Sequence, residues 1–208
     1  MSENKEKLNE QLFNVIADEK ASDEARLKKL KYLVYLGADV NASDKYGQTA
    51  LMKASEHGHL EVVKYLAQGG AYINAKDETG QTSLMKASEH VHWEVIKYLV
   101  ECGADVNVSD MYGGTALMKV ARCGKLDAVK YLTEQGADLE ASDKYGNTVL
   151  NIAKIWKRDD CVKFLEELQQ KEVAKEPYEA KVEVLSGEEK NTTVKKRGIW
   201  QRMFGGRD

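Results

Sequence analysis

The chain has 208 residues, 42% of them apolar and 31% charged, with a net charge of −3. This balance excludes wholesale disorder and a global attraction to polyanions. Three cysteines without CxxC spacing exclude a disulfide framework or zinc ribbon, no apolar run approaches a membrane span, and MSENKEKLNEQ lacks the apolar core of a secretory leader, so a reducing, cytoplasmic setting is expected.

The first element is a helix with Leu8, Leu12, Phe13, Val15 and Ile16 on its apolar side. A second apolar stretch runs from Leu27 to Asn41. From residue 44 onward a period of 33 governs the chain. Asp44, Asp77, Asp110 and Asp143 keep the step, as do Gly47, Gly80, Gly113 and Gly146, then Thr49, Thr82, Thr115 and Thr148, then Leu51, Leu84, Leu117 and Leu150. Segments 44–76 and 77–109 agree at 20 of 33 positions, which is far more specific than a short motif.

Each unit predicts a turn, a short helix, a reversal and a second helix. Asp44 and Gly47 stand at the first and fourth positions of a type I turn, and Thr49 caps the helix that follows. Leu51, Met52, Ala54 and Ser55 make its packing face. Gly58 suits a left-handed reversal, and a helix over 59–68 carries Leu60, Val62, Val63 and Leu66. The ends read as caps. Segment 5–42 matches only in its second half, and a helix over 159–172 opens on Asp159-Asp160 and turns polar.

These units resemble the ankyrin repeat: TALMKA (49–54), TSLMKA (82–87), TALMKV (115–120) and TVLNIA (148–153) stand for its TPLHxA, and GHLEVVKYL (58–66) and GADVN (37–41, 103–107) follow its pattern. The resemblance covers about residues 6–170. It implies an all-α solenoid of stacked turn-helix-helix units, with a repeat domain over 1–172 (units about 5–43, 44–76, 77–109, 110–142 and 143–172), a linker over 173–194 and a tail over 195–208. The family's proline is replaced by Ala50, Ser83, Ala116 and Val149, and its histidine by Met52, Met85, Met118 and Asn151, which removes a side-chain bond to the turn. Val91 and Lys157 replace the reversal glycine, so the left-handed geometry at those two ends stays open.

No catalytic constellation is present: the chain has no GxSxG, P-loop, HExxH or GxGxxG, so no enzyme and no cofactor is expected. Cys102, Cys123 and Cys161 have no evident base partner. The pairs His57/His59 and His90/His92 are expected to be structural rather than metal ligands, with His59 and His92 bonding backbone between units and His57 and His90 facing solvent.

The resemblance also implies a groove for a partner protein, lined by the turn tips and the exposed side of each first helix. By the 33-residue register the candidates are Lys45, Tyr46, Gln48, Lys53, Glu56 and His57; Glu78, Thr79, Lys86, Glu89 and His90; Met111, Tyr112, Lys119 and Arg122; and Lys144, Tyr145, Ile155 and Trp156. Gln81, Gly114, Asn147, Cys123 and Ile152 fall in the same rows. The groove loses charge toward the C-terminal units, which favours an apolar partner segment at that end. Lys53, Lys86 and Lys119 make a basic stripe, but Glu56 and Glu89 lie one helical turn on and are expected to neutralise it, so nucleic acid is not the expected partner. The expected state is a monomer.

Beyond Pro177, Ala180, Val182 and Val184 alternate with charges, and a turn at Ser186-Gly187 would give at most a marginal hairpin. Over 195–207, Lys195, Lys196, Arg197 and Arg202 surround Ile199, Trp200, Met203 and Phe204, which share one face of a short helix. This composition suits a protein groove or an anionic membrane surface. The main expectation is a protein-interaction adaptor with a docking tail. The alternative is a membrane-surface protein anchored by that tail, with the repeats as spacer.

Overall fold

The computed structural model describes residues 2–18 and 20–170. Its helices are α1 (Ser2–Ala17), α2 (Asp23–Tyr35), α3 (Ala50–Glu56), α4 (Leu60–Gln68), α5 (Ser83–His90), α6 (Trp93–Glu101), α7 (Ala116–Cys123), α8 (Leu126–Glu134) and α9 (Val149–Ile155). A last helix, α10, covers 159–170. Residues 1–165 form one compact unit; of the second, 166–208, only the end of α10 is described. The linker 173–194 and the tail 195–208 lie outside the described residues.

Within the first unit the helices pair as α1 with α2, α3 with α4, α5 with α6 and α7 with α8. The first helices α1, α3, α5, α7 and α9 each pack on the next, and α2, α4 and α6 form a second row. Among the described residues there is no strand, only isolated antiparallel bridges such as Ser43 with Thr49. This is the all-α stack of turn-helix-helix units that the 33-residue period predicts.

The period produces this arrangement because each short helix is apolar on several sides. Leu51, Met52 and Ala54 of α3 are buried, as are Val62, Val63 and Leu66 of α4. A fully buried side chain of this size contributes about 1.5–3 kcal/mol by leaving water, and stacking is the only way a helix of seven to nine residues can reach it. The threonines cap as expected: Thr49 Oγ1 accepts from the Met52 N–H at 3.3 Å, and Thr82, Thr115 and Thr148 repeat the bond. In the first unit Leu12, Val15 and Ile16 of α1 are buried in the same way.

Three expectations are corrected in detail. His59 stands outside α4, as its N-terminal flanking residue without a side-chain capping bond. Val91 and Lys157 keep the left-handed reversal, with φ of 55° and 53°, although neither is glycine. The loss of the family histidine does not leave the turn unbonded everywhere, because the Asn151 Oδ1 accepts the Thr148 N–H at 3.0 Å, and the Met52 sulfur accepts that of Thr49 at 3.4 Å.

Candidate functional site

The turn tips are built around one carboxylate each. Asp44 Oδ1 accepts the N–H groups of Tyr46 and Gln48 at 2.9 and 3.0 Å. Asp77 does the same for Thr79 and Gln81, Asp110 for Tyr112 and Gly114, and Asp143 for Tyr145 and Asn147. This works because a short carboxylate reaches its own backbone two residues on. Each tip is then tied to the next by a main-chain bond: Glu78 N–H to Tyr46 O at 3.1 Å, Met111 N–H to Thr79 O at 2.8 Å, and Lys144 N–H to Tyr112 O at 2.8 Å. The approach is close enough that a Cβ on Gly113 would fall 2.9 Å from the Cα of Asp143.

The lysine stripe is neutralised, but not as the (i, i+3) spacing predicted. Lys53 Nζ pairs with Asp44 Oδ2 at 2.9 Å, Lys86 with Asp77 at 3.4 Å, and Lys119 with Asp110 at 3.5 Å. The turn folds back over its own first helix, which brings the aspartate nine residues upstream closer than the glutamate one turn downstream. Glu89 instead crosses to the next unit, where it meets Arg122 at 2.7 Å and Lys119 at 3.5 Å. Partial burial opposes charge on these acids. Several bonds and charges together outweigh it and hold the three carboxyls below the ordinary range: Lys53 with the Tyr46 and Gln48 N–H groups at Asp44, Thr79 with the Gln81 N–H and Lys86 at Asp77, and Arg122 with Lys119 at Glu89.

Two adjoining clefts open between tips and first helices. One, of about 410 Å³, is lined by Tyr46, Gln48, Asp77, Glu78, Thr79, Gln81, Lys86 and Glu89. The other, of about 300 Å³, is lined by Gln81, Glu89, Asp110, Tyr112, Gly114, Met118, Lys119, Arg122, Asp143, Tyr145 and Ile152. Sequence reasoning missed Asp77, Asp110, Asp143 and Met118, because the aspartates read as turn formers and Met118 as core. Their recurrence one residue before each tip was the signal that could have found the acids.

The remaining candidates lie outside the two cleft linings. Lys45, His57, His90, Met111, Lys144, Ile155 and Trp156 are exposed, and Lys53 and Glu56 are half-buried. Lys45 stands 4.9 Å from the ring of Tyr46, Lys144 5.7 Å from that of Tyr112, and Arg122 5.9 Å from that of Trp156. Half of the Trp156 surface is open to solvent.

Two of the histidines, His59 and His92, are joints between units. His92 Nε2 donates to the Glu56 carbonyl at 2.8 Å, the inter-unit backbone bond that was expected. His59 differs, because its Nδ1 faces side chains, Arg26 Nη1 at 3.2 Å and Asp23 Oδ1 at 3.1 Å. Burial and the Arg26 charge push the His59 pKa down, so the ring is neutral at pH 7 and Nδ1 accepts from the guanidinium, while Asp23 pairs with Arg26. Burial likewise lowers His92. His57 and His90 are exposed, and His57 Nδ1 lies 2.8 Å from the Lys53 carbonyl. Among the described residues no cluster of His, Cys, Asp and Glu fits a metal. Burial raises the Cys161 thiol, which makes it a core residue rather than a nucleophile.

A family profile described as Ankyrin repeats (3 copies) matches residues 20–110 and 108–175, most of the chain. No curated protein matches the chain significantly.

Proposed function

Since the chain belongs to the ankyrin-repeat family, whose members are generally protein-interaction modules, we propose that it is a non-enzymatic adaptor that holds an extended segment of a partner protein across the two clefts. The observation that carries this reading is the run of exposed aromatic rings beside them: Tyr46, Tyr112, Tyr145 and Trp156 are all at least half open to solvent. Tyrosine and tryptophan are the residues that most often dominate binding energy, since they bury a large rigid surface and keep a polar tip. Lys53, Lys86, Lys119 and Arg122 are already paired with Asp44, Asp77, Asp110 and Glu89, so a partner does not have to neutralise these charges.

The experiment is a pull-down from cytosol with mass spectrometry, comparing the full chain, a truncation to 1–176, and Tyr112→Ala/Tyr145→Ala/Trp156→Ala. A partner retained by the truncation and lost by the triple variant supports the groove. A partner set unchanged by the triple variant overturns it.

The tail over 195–208 is proposed as a second docking element on its sequence alone, with Trp200 and Phe204 set among Lys195, Lys196, Arg197 and Arg202. Recovery that depends on the tail and not on the groove would make the repeats a spacer. Liposome binding lost on removal of 195–207 would assign the tail to an anionic membrane. A cytoplasmic monomer is proposed with this reading.

A further inference from the structure

One salt bridge recurs through the stack and then stops. In three successive units a lysine of the first helix meets the second oxygen of the turn aspartate: Lys53 with Asp44, Lys86 with Asp77, Lys119 with Asp110. The fourth unit keeps the aspartate and its backbone bonds, with Asp143 Oδ1 accepting from Tyr145 and Asn147 at 2.9 and 2.8 Å. At the lysine's register position, however, stands Ile152. Among the described residues Asp143 Oδ2 has one polar contact, the side-chain amide of Asn147 at 3.1 Å, and no cation reaches it. Its chain neighbour Lys144 lies instead over the ring of Tyr112.

The vacancy lies within the groove. Asp143, Ile152, Tyr112 and Tyr145 all line the smaller cleft. The other two acids of that lining, Glu89 and Asp110, are met by Arg122 and Lys119, so the uncompensated charge of the cleft is that of Asp143. Partial burial works against that charge, but the N–H groups of Asn147 and Tyr145 and the Asn147 amide hold the carboxyl below its ordinary value, and it stays ionised at neutral pH.

We infer that this cleft takes one lysine or arginine side chain of the partner segment, which supplies in trans the cation that the fourth unit lacks. The charged head pairs with Asp143 Oδ2, the methylene stem lies along Ile152, and the rings of Tyr112 and Tyr145 flank the cation. The inference rests on the groove reading above and adds a chemical requirement to it: the partner carries a basic residue at one fixed place.

The test selects a phage-displayed library of random dodecapeptides on the full chain, then measures binding of the selected synthetic peptides. The expected peptides share one Lys or Arg, and replacing it with norleucine weakens binding at least ~10-fold. Asp143→Asn keeps an oxygen for the turn bonds but removes the charge, and is expected to give the same loss. Ile152→Lys restores the repeat's own cation and is expected to do likewise; the fold tolerates lysine at this register in three units, so this variant stands even if Asp143→Asn misfolds. Peptides that need Tyr112 and Tyr145 yet carry no required base, or that ignore both Asp143→Asn and Ile152→Lys, overturn the inference and leave the groove intact. If no peptide binds, or binding is insensitive to Tyr112→Ala and Tyr145→Ala, the groove reading itself fails and this one with it.

Discussion

Gly58 and His92 belong to different units, yet the structure makes each a condition for the other. Gly58 ends α3 with φ +73°, and a Cβ placed on it would lie 2.4 Å from the Nδ1 of His92, whose ring crosses over to bond the Glu56 carbonyl. Gly58→Ala therefore has two costs. The left-handed backbone strains an alanine by about 1–2 kcal/mol. The displaced ring also loses its hydrogen bond, worth about 1 kcal/mol, for a total of about 2–3 kcal/mol. In a His92→Lys background only the backbone strain remains. The two substitutions are thus expected to be coupled by about 1 kcal/mol.

The chain contains its own control for this argument. Val91 adopts φ 55° at the equivalent reversal, and the residue of the next unit facing that position is Lys125, which is exposed and makes no such crossing bond. Gly124, in turn, is covered by Arg158, whose Cδ would lie 2.6 Å from an added Cβ and whose Nε bonds the Arg122 carbonyl at 2.8 Å. Urea denaturation of the four proteins of the cycle at pH 7.5, followed by circular dichroism, gives the coupling from the midpoints at a common slope. Costs that add to within ~0.3 kcal/mol would refute the steric link. Val91→Gly, with strain to relieve and nothing to collide with, is expected to raise stability by roughly 1 kcal/mol.

Ala50→Pro, Ser83→Pro and Ala116→Pro are each expected to stabilise the protein by about 0.4–1 kcal/mol, because the preceding threonines already have ψ of 164°, 169° and 166°, as a residue before proline requires; a lower melting temperature would show that the buried site cannot take the ring. Ser55 and Ser88 are fully buried with unbonded hydroxyls, and the third unit has Ala121 at their position. Ser55→Ala and Ser88→Ala should therefore gain about 1 kcal/mol each, and a loss in thermal denaturation would reveal a bond the hydroxyls do make. Asn74 bridges two units by donating to the Gly103 carbonyl at 3.1 Å and accepting from the Asp105 N–H at 2.9 Å. Its alanine variant should lose about 1–2 kcal/mol and hydrogen-exchange protection at the Asp105 amide, and unchanged exchange there would contradict the bridge. His59 and His92 have folded pKa values lowered chiefly by burial. The unfolded chain therefore binds protons first, and stability should fall as pH drops below the ordinary histidine value of about 6.5. A second decline follows in more acid solution, as Asp44, Asp77, Glu89 and Asp143 are protonated through their depressed folded values. A urea midpoint that is flat from neutral down to about pH 5 would refute the histidine part.

What the sequence made legible was the plan of a single unit. The turn aspartate, the capping threonine and the apolar positions of both helices act within one unit, so their spacing alone locates them. Contacts between units were harder to read. Glu89 looks like a partner of Lys86 along the helix, but only the stack brings Arg122, 33 residues on, within 2.7 Å. The left-handed Val91 depends in the same way on which side chain the next unit lays across it. Asn41, Asn74 and Asn107 recur visibly, yet their role as bridges to Gly70, Gly103 and Gly136 appears only when neighbouring loops are side by side. The exposed tyrosines were legible as candidates from their place at the tips. That Asp143 lines the cleft without a lysine followed only from the folded turn.

The bonds that space the tips join main-chain atoms alone, the N–H of residues 78, 111 and 144 to the carbonyls of 46, 79 and 112. They are indifferent to the side chains at these positions, and the chain already places tyrosine, threonine and tyrosine on those three carbonyls. Such a scaffold can change what it recognises one residue at a time without passing through an unfolded ancestor, since altering a tip does not alter the distance between tips. The fourth tip differs in one respect: among the described residues nothing lies within 4 Å of a Cβ on Gly146, whereas those on Gly47, Gly80 and Gly113 would press on the next tip. Duplication of 33 residues would lengthen the reading surface, and substitution at the tips would then give the new section a meaning of its own.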